Sequence, residues 1–133
     1  MNKKTSTKNT RWWPWAIAVG GLGLLAMVGS QLLQGDVSAK LEQAQQGKLA
    51  YEDNCASCHG ADLKGTRQGP PFIHKVYEPS HHGDEAFYRA VANGVRAHHW
   101  RFGDMPPVAG VTREEVGDII AYIREQQRAN GIK

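Results

Sequence analysis

The chain of 133 residues holds only two cysteines, Cys55 and Cys58, and both fall inside one five-residue stretch. With no second cysteine pair, a zinc site of matching ligand spacing is two ligands short. No segment alternates apolar and polar residues in the manner of a strand, and no internal repeat is present, which leaves an all-α reading with long loops. The missing strand also deprives the cysteines of the βαβ setting of a thioredoxin-like redox pair. Excess charge is absent from the larger part of the chain: residues 40–133 carry equal numbers of cations and anions. That balance offers a nucleic-acid partner no electrostatic footprint. The formal net charge of +3 resides in the first 39 residues, where Lys3, Lys4, Lys8 and Arg11 face only Asp36.

A different absence marks the N-terminus. No charged side chain occurs among the 24 residues from Trp12 through Gly35. A bilayer-spanning helix needs about 20 mostly apolar residues, and this run supplies them. Trp12, Trp13 and Trp15 stand where an aromatic belt would lie, beside a cationic flank that stays cytoplasmic under the positive-inside rule. The expectation is a basic N-terminus and transmembrane anchor over 1–35, a short polar linker over 36–40, and a globular domain over 41–133. A cleaved signal peptide, with Val37-Ser38-Ala39 as the small-residue cleavage site, is the competing reading. Both put the globular domain on the same side of the membrane.

What is present centres on Cys55-Ala56-Ser57-Cys58-His59. Two thiols three apart with an imidazole directly after the second is the spacing for covalent haem attachment. The sulfurs add across the vinyl groups, and His59 falls beneath the iron as its proximal ligand. A domain of about 94 residues is small for a self-sufficient core. A bonded haem c supplies a large apolar centre, so folding is expected to depend on it.

Around this motif the periodicity is helical. Leu41 to Asn54 reads as an amphipathic helix with Leu41, Ala44, Lys48 or Leu49, and Tyr51 at helical spacing. Gly47 inside it costs about 1 kcal/mol against alanine, which a close helix approach would explain. Residues 60–76, rich in glycine and proline, read as loop. Asp84 to Val95 reads as a short helix with Ala86, Phe87, Ala90 and Val91 on one side and Gly94 near its end. A second loop carries Met105-Pro106-Pro107. Thr112 and Glu115 form a capping box for a last helix whose apolar face is Val116, Ile119, Ile120 and Ile123.

An iron held by His59 has one open axial position, and Met105 is the natural candidate for it. A thioether is a soft, neutral ligand that raises the potential into the electron-transfer range. At this point the chain resembles the class I cytochrome c family in three places. Gly47 through Asn54, leading into Cys55-Ala56-Ser57-Cys58-His59-Gly60, is similar to the family's first helix and attachment site. Gly103-Asp104-Met105-Pro106 resembles its distal-ligand loop, and Ile119-Ile120-Ala121-Tyr122-Ile123-Arg124 its C-terminal helix. The resemblance implies a small fold of three to four helices around one covalently bound haem, with export from the cytoplasm. It implies Met105 as sixth ligand and Gly47 as the place where Tyr122 crosses the first helix. It also implies that Pro70 offers its carbonyl to the free N–H of His59, fixing the imidazole's orientation.

His74, His81, His82, His98 and His99 depart from the plain family pattern, all lying between His59 and Met105. Any of them offers a ligand to iron, copper or zinc. Adjacent histidines on an extended loop point apart, so the default reading is exposed loop histidines. Trp100 and Phe102 are expected to cover the haem face. The chain therefore reads as a tethered monohaem electron carrier on the periplasmic side of a bacterial inner membrane. It needs redox proteins as partners, no small-molecule substrate, and no acid, base or nucleophile. The alternatives are a haem subunit of a larger oxidoreductase, and a haem enzyme or gas sensor whose sixth position stays open.

Overall fold

The computed structural model describes the backbone of residues 13–133 and the side chains of residues 34–133. Four α-helices follow in order: α1 (Trp13–Asn54), α2 (Ala56–His59), α3 (Asp84–Asn93) and α4 (Arg113–Ala129), with a 3-10 turn at Lys75–Tyr77. No strand occurs among the described residues; Val95 and Met105 form an isolated antiparallel bridge. The chain divides into two compact units, Met1–Ser38 and Ala39–Lys133. Residues 36–40, read from sequence as a linker, are helical and belong to α1. Nearly all side chains of the uncharged run 12–35 lie outside the described residues. Among the described residues, no helix is long and apolar enough to cross a membrane.

Within the second unit, burial follows the helical period, but not at every position that the sequence marks. Along α1 the covered stripe is Ala44, Gly47 and Tyr51, while Leu41 and Leu49 are more than half exposed. The stripe is set by the helix that crosses it, and leucines two or three positions from its members turn to solvent. A Cβ on Gly47 would overlap the carbonyl of Asp118 in α4. Glycine is therefore required where the two backbones touch. The contact falls one turn before Tyr122, whose ring instead tilts against Tyr51 at 5.6 Å between centroids.

Helix α4 supplies most of the core. Thr112 and Glu115 make the reciprocal capping box, satisfying two of the orphan amides of the first turn. Val116, Ile119, Ile120 and Ile123 are all buried, each contributing about 1.5–3 kcal/mol of transfer free energy. They meet Phe87 of α3 and the loop residues Leu63 and Phe72 in one apolar cluster. Leu63 reaches that cluster with a left-handed backbone, φ 62°. A non-glycine residue there costs about 1–3 kcal/mol, and complete burial of the side chain offsets it.

Two polar residues lie on the same face of α4. Arg124 and Gln127 are buried. The Arg124 guanidinium donates to Asp84, to the backbone carbonyls of Tyr77 and His82, and to the Gln127 side chain. Gln127 donates in turn to the carbonyls of Phe72 and Tyr77. These bonds pin the irregular stretch 72–82 to the core, supplying partners that a loop cannot supply for itself.

Candidate haem site

The attachment motif is shaped by its own backbone. Cys55 accepts from the amides of Cys58 and His59 at 3.2 and 2.9 Å, making the single turn α2. Gly60 ends that turn with φ 82°. The Tyr51 hydroxyl donates to the Gly60 carbonyl at 2.7 Å, tying the motif to α1. On the other side, a Cβ on Gly69 would sit 2.8 Å from the Cys58 carbonyl oxygen, and Thr66 Oγ1 donates to that same oxygen at 2.6 Å. The loop therefore folds tightly back over the motif.

His59 is buried, and its ring stacks on Phe72 with centroids 4.3 Å apart. Its Nδ1 lies 2.9 Å from the Pro70 carbonyl oxygen. A carbonyl can only accept, so Nδ1 carries the proton and Nε2 keeps its lone pair. Burial pushes the His59 pKa down, against a smaller opposing pull from the Pro70 bond. The imidazole is thus held neutral, in one tautomer and one orientation, as a metal ligand needs to be.

Burial, reinforced by neighbouring Cys58, pushes the Cys55 thiol up to about 11. An attacking thiol needs a shift in the opposite direction, so Cys55 is not prepared for that role.

Cys55, Cys58 and His59 open onto a cavity of about 750 Å³, within the range of small-molecule and cofactor pockets. Phe72, Phe87, Ile119, Ile120 and Ile123 supply much of its apolar lining, and Met105 lines the same space. The Met105 amide and carbonyl pair with the carbonyl and amide of Val95, both at 2.9 Å. Gly94 permits this approach, because a Cβ there would overlap the Met105 carbonyl. The distal-loop methionine is therefore held by its backbone next to the end of α3.

Trp100 and Phe102 also line the cavity, with ring centroids 6.1 Å apart. Trp100 Nε1 is buried with no hydrogen-bond partner. Burial pushes the Tyr77 phenol up and the neighbouring indole offsets part of that push, yet the two groups do not meet in hydrogen-bond geometry. An orphaned buried donor costs about 1–3 kcal/mol. An acceptor on a group filling the cavity, such as a haem carboxylate, would relieve it. Apolar walls, two thiols at attachment spacing, a neutral oriented imidazole and an unmet donor together fit a covalently attached haem.

His74, His81, His98 and His99 are exposed, as loop histidines are expected to be, and His82 is half-buried. His98 and His99 lie with ring centroids 4.4 Å apart rather than pointing away from each other. His81 and His82 join them. His74 stands apart, edge-on to Trp100 at 4.9 Å.

The fold and cavity define a small all-α haem-attachment domain. Residues 44–127 match the family described as Cytochrome c, and the chain belongs to that family. The family's cofactor is covalently bound haem c, for which Cys55, Cys58 and His59 form the attachment motif. A 24-residue segment is 71% identical to the Cbb3-type cytochrome c oxidase subunit FixP of Rhizobium meliloti (strain 1021), covering 18% of this chain and 8% of that one. A 24-residue match to the subunit of the same name in Sinorhizobium medicae (strain WSM419) is 67% identical, with the same coverage of each chain. The matched segment is thus a small part of those relatives. No solved structure matches the chain.

Proposed function

We propose that this chain is a membrane-tethered monohaem electron carrier, passing single electrons between redox proteins on the periplasmic side of a bacterial inner membrane. The observation that carries the reading is that His59 and Met105 line one largely apolar cavity. When bound there, haem supplies a one-electron couple. The protein's part would be to hold the haem iron through His59 and Met105. His59 would be the proximal ligand through Nε2, with Pro70 fixing its tautomer. Met105 would be the distal ligand, its backbone clamped by Val95. Phe72, Phe87 and the α4 isoleucines exclude water, which limits rearrangement between oxidation states. This work asks for no acid, base or nucleophile. The uncharged run 12–35 behind a cationic flank supports the tether, which would confine the domain near its partners and raise their effective concentration.

A second reading is favoured by the likeness to FixP: a haem subunit docked in a larger oxidase. Purification decides between them. A carrier comes off the membrane with detergent, not with high salt, and elutes alone, whereas a subunit elutes in a stoichiometric complex.

The axial assignment is tested on the reduced holoprotein with carbon monoxide. Wild type is expected to bind it slowly and, when oxidised, to show a weak sulfur-to-iron charge-transfer band. Met105→Ala should bind it fast, lose the band and lower the potential. Rapid binding by wild type, with no change in the variant, would move the assignment to a gas sensor or catalyst.

A further inference from the structure

We propose that His81, His82 and His99 form a binding site for one nitrogen-preferring divalent transition-metal ion, Cu(II) or Zn(II), at the rim of the haem cavity. One ligand atom from each lies within 4.8 Å of the others. The three come from two separate loops, one after the 3-10 turn and one ahead of Met105, so the cluster exists only in the folded chain.

The pairing of His81 with His99 is the most telling contact. Their Nε2 atoms lie 3.1 Å apart. Two such nitrogens can share one proton, or one metal ion can take its place. Zn–N bonds of about 2.0–2.1 Å in tetrahedral geometry put neighbouring ligand nitrogens about 3.3 Å apart. The observed spacing is already close to that of two ligands on one ion.

The third imidazole is prepared for the same role. His82 Nδ1 lies 2.6 Å from the Val76 carbonyl, an acceptor only, so Nδ1 holds the proton and Nε2 is left with a lone pair. Hydrogen-bonding the far nitrogen of a ligating histidine to a carbonyl is the usual way its tautomer and orientation are set. His98 is arranged likewise, with Nδ1 2.9 Å from the Arg96 carbonyl and its ring stacked against His82 at 5.9 Å. It stands next to the three but outside their group of ligand atoms.

Both loops are held without any metal. The amides of His81 and His82 donate to Glu78, and the His82 carbonyl accepts from Arg124. Across the cluster, the Ala97 amide donates to Asp104 and closes the second loop. Burial first, and the neighbouring His81, His98 and Arg124 charges after it, lower the His82 pKa against the Val76 bond. The neutral ligating form is thereby favoured. An all-imidazole set suits copper, zinc or nickel and not the oxygen-seeking calcium or magnesium, and the order of affinities puts Cu(II) above Zn(II). The competing occupant is a haem carboxylate, hydrogen-bonded by the same imidazoles with no metal.

The experiment uses the full haem-loaded chain without a histidine tag, in detergent and stripped with chelator, titrated with Zn(II) alone by calorimetry. One ion per chain with Kd of about 1 μM or tighter is expected. The double variant His81→Ala/His99→Ala should weaken it at least about tenfold, while His74→Ala should leave it unchanged. Wild type loaded with one equivalent of Cu(II) should show hyperfine coupling to three or more imidazole nitrogens. This second reading stands even if the double variant does not fold. Absence of saturable Zn(II) binding, binding that the folded double variant retains, or copper coupled to fewer than three nitrogens would each overturn the proposal. The first of these is the outcome expected if a haem carboxylate occupies the cluster. None of the readouts depends on electron transfer or on Met105, so the electron-carrier reading stands or falls separately.

Discussion

The Tyr51 hydroxyl donates to the Gly60 carbonyl at 2.7 Å, in a fully buried contact that joins α1 to the residue after His59. Tyr51→Phe keeps the ring and removes the donor, leaving that carbonyl with the Leu63 amide alone. The expected cost is about 0.5–1.5 kcal/mol, read from guanidinium unfolding of the holoprotein. An unchanged midpoint would mean that water replaces the hydroxyl and that α1 does not brace the motif.

Gly47 is the point where α1 and α4 touch, and the Asp118 carbonyl leaves no room for a side chain. Gly47→Ala should therefore destabilise the holoprotein by about 1–3 kcal/mol through overpacking. A thermal melt of the Gly47→Ala holoprotein that matches wild type would contradict this account.

Arg124 feeds two loop carbonyls from inside the core. Arg124→Met fills similar volume but strands the His82 carbonyl and the Gln127 amide oxygen, leaving Tyr77 to Gln127 alone, and a loss of at least about 2 kcal/mol is expected. Asp84, its carboxylate partner, has a side chain 60% exposed, so Asp84→Asn should cost under about 1 kcal/mol. Equal losses would show that the ion pair, and not the loop contacts, is what Arg124 contributes.

The Glu115 carboxyl is held below its ordinary value of 4.5, by the Thr112 amide first and the Thr112 hydroxyl second. A carboxylate with a depressed folded-state pKa contributes stability that is fully present above the unfolded value. That contribution is lost as pH falls through the folded value. Melting temperature, followed by circular dichroism, should therefore drop below about pH 4.5 partly through loss of this cap. Thr112→Ala should cost about 0.5–2 kcal/mol near neutral pH and show a shallower acid slope. Identical acid slopes would rule out a contribution from the Thr112 hydroxyl.

Local chemistry was legible in the chain itself. The attachment spacing at Cys55, Cys58 and His59, the Thr112–Glu115 box and the α4 stripe each rest on residues within a turn or two of one another. Period and capping express such relations directly. The sequence by itself therefore determined that the domain is helical, where α4 starts, and which pentapeptide has the attachment spacing. Relations between distant segments were decided only by the tertiary structure. Leu41 and Leu49 have the right character for a buried stripe but face solvent, because α4 crosses α1 at Gly47. Arg124 and Gln127 continue the α4 stripe beyond Ile123, and a polar pair on an apolar face was the available signal of a loop needing donors. His81, His82, His98 and His99 read as exposed loop residues, and an adjacent pair on an extended chain as a poor chelate. Their convergence required two loops, anchored to Glu78, Arg124 and Asp104, to be brought face to face by packing that no local pattern encodes.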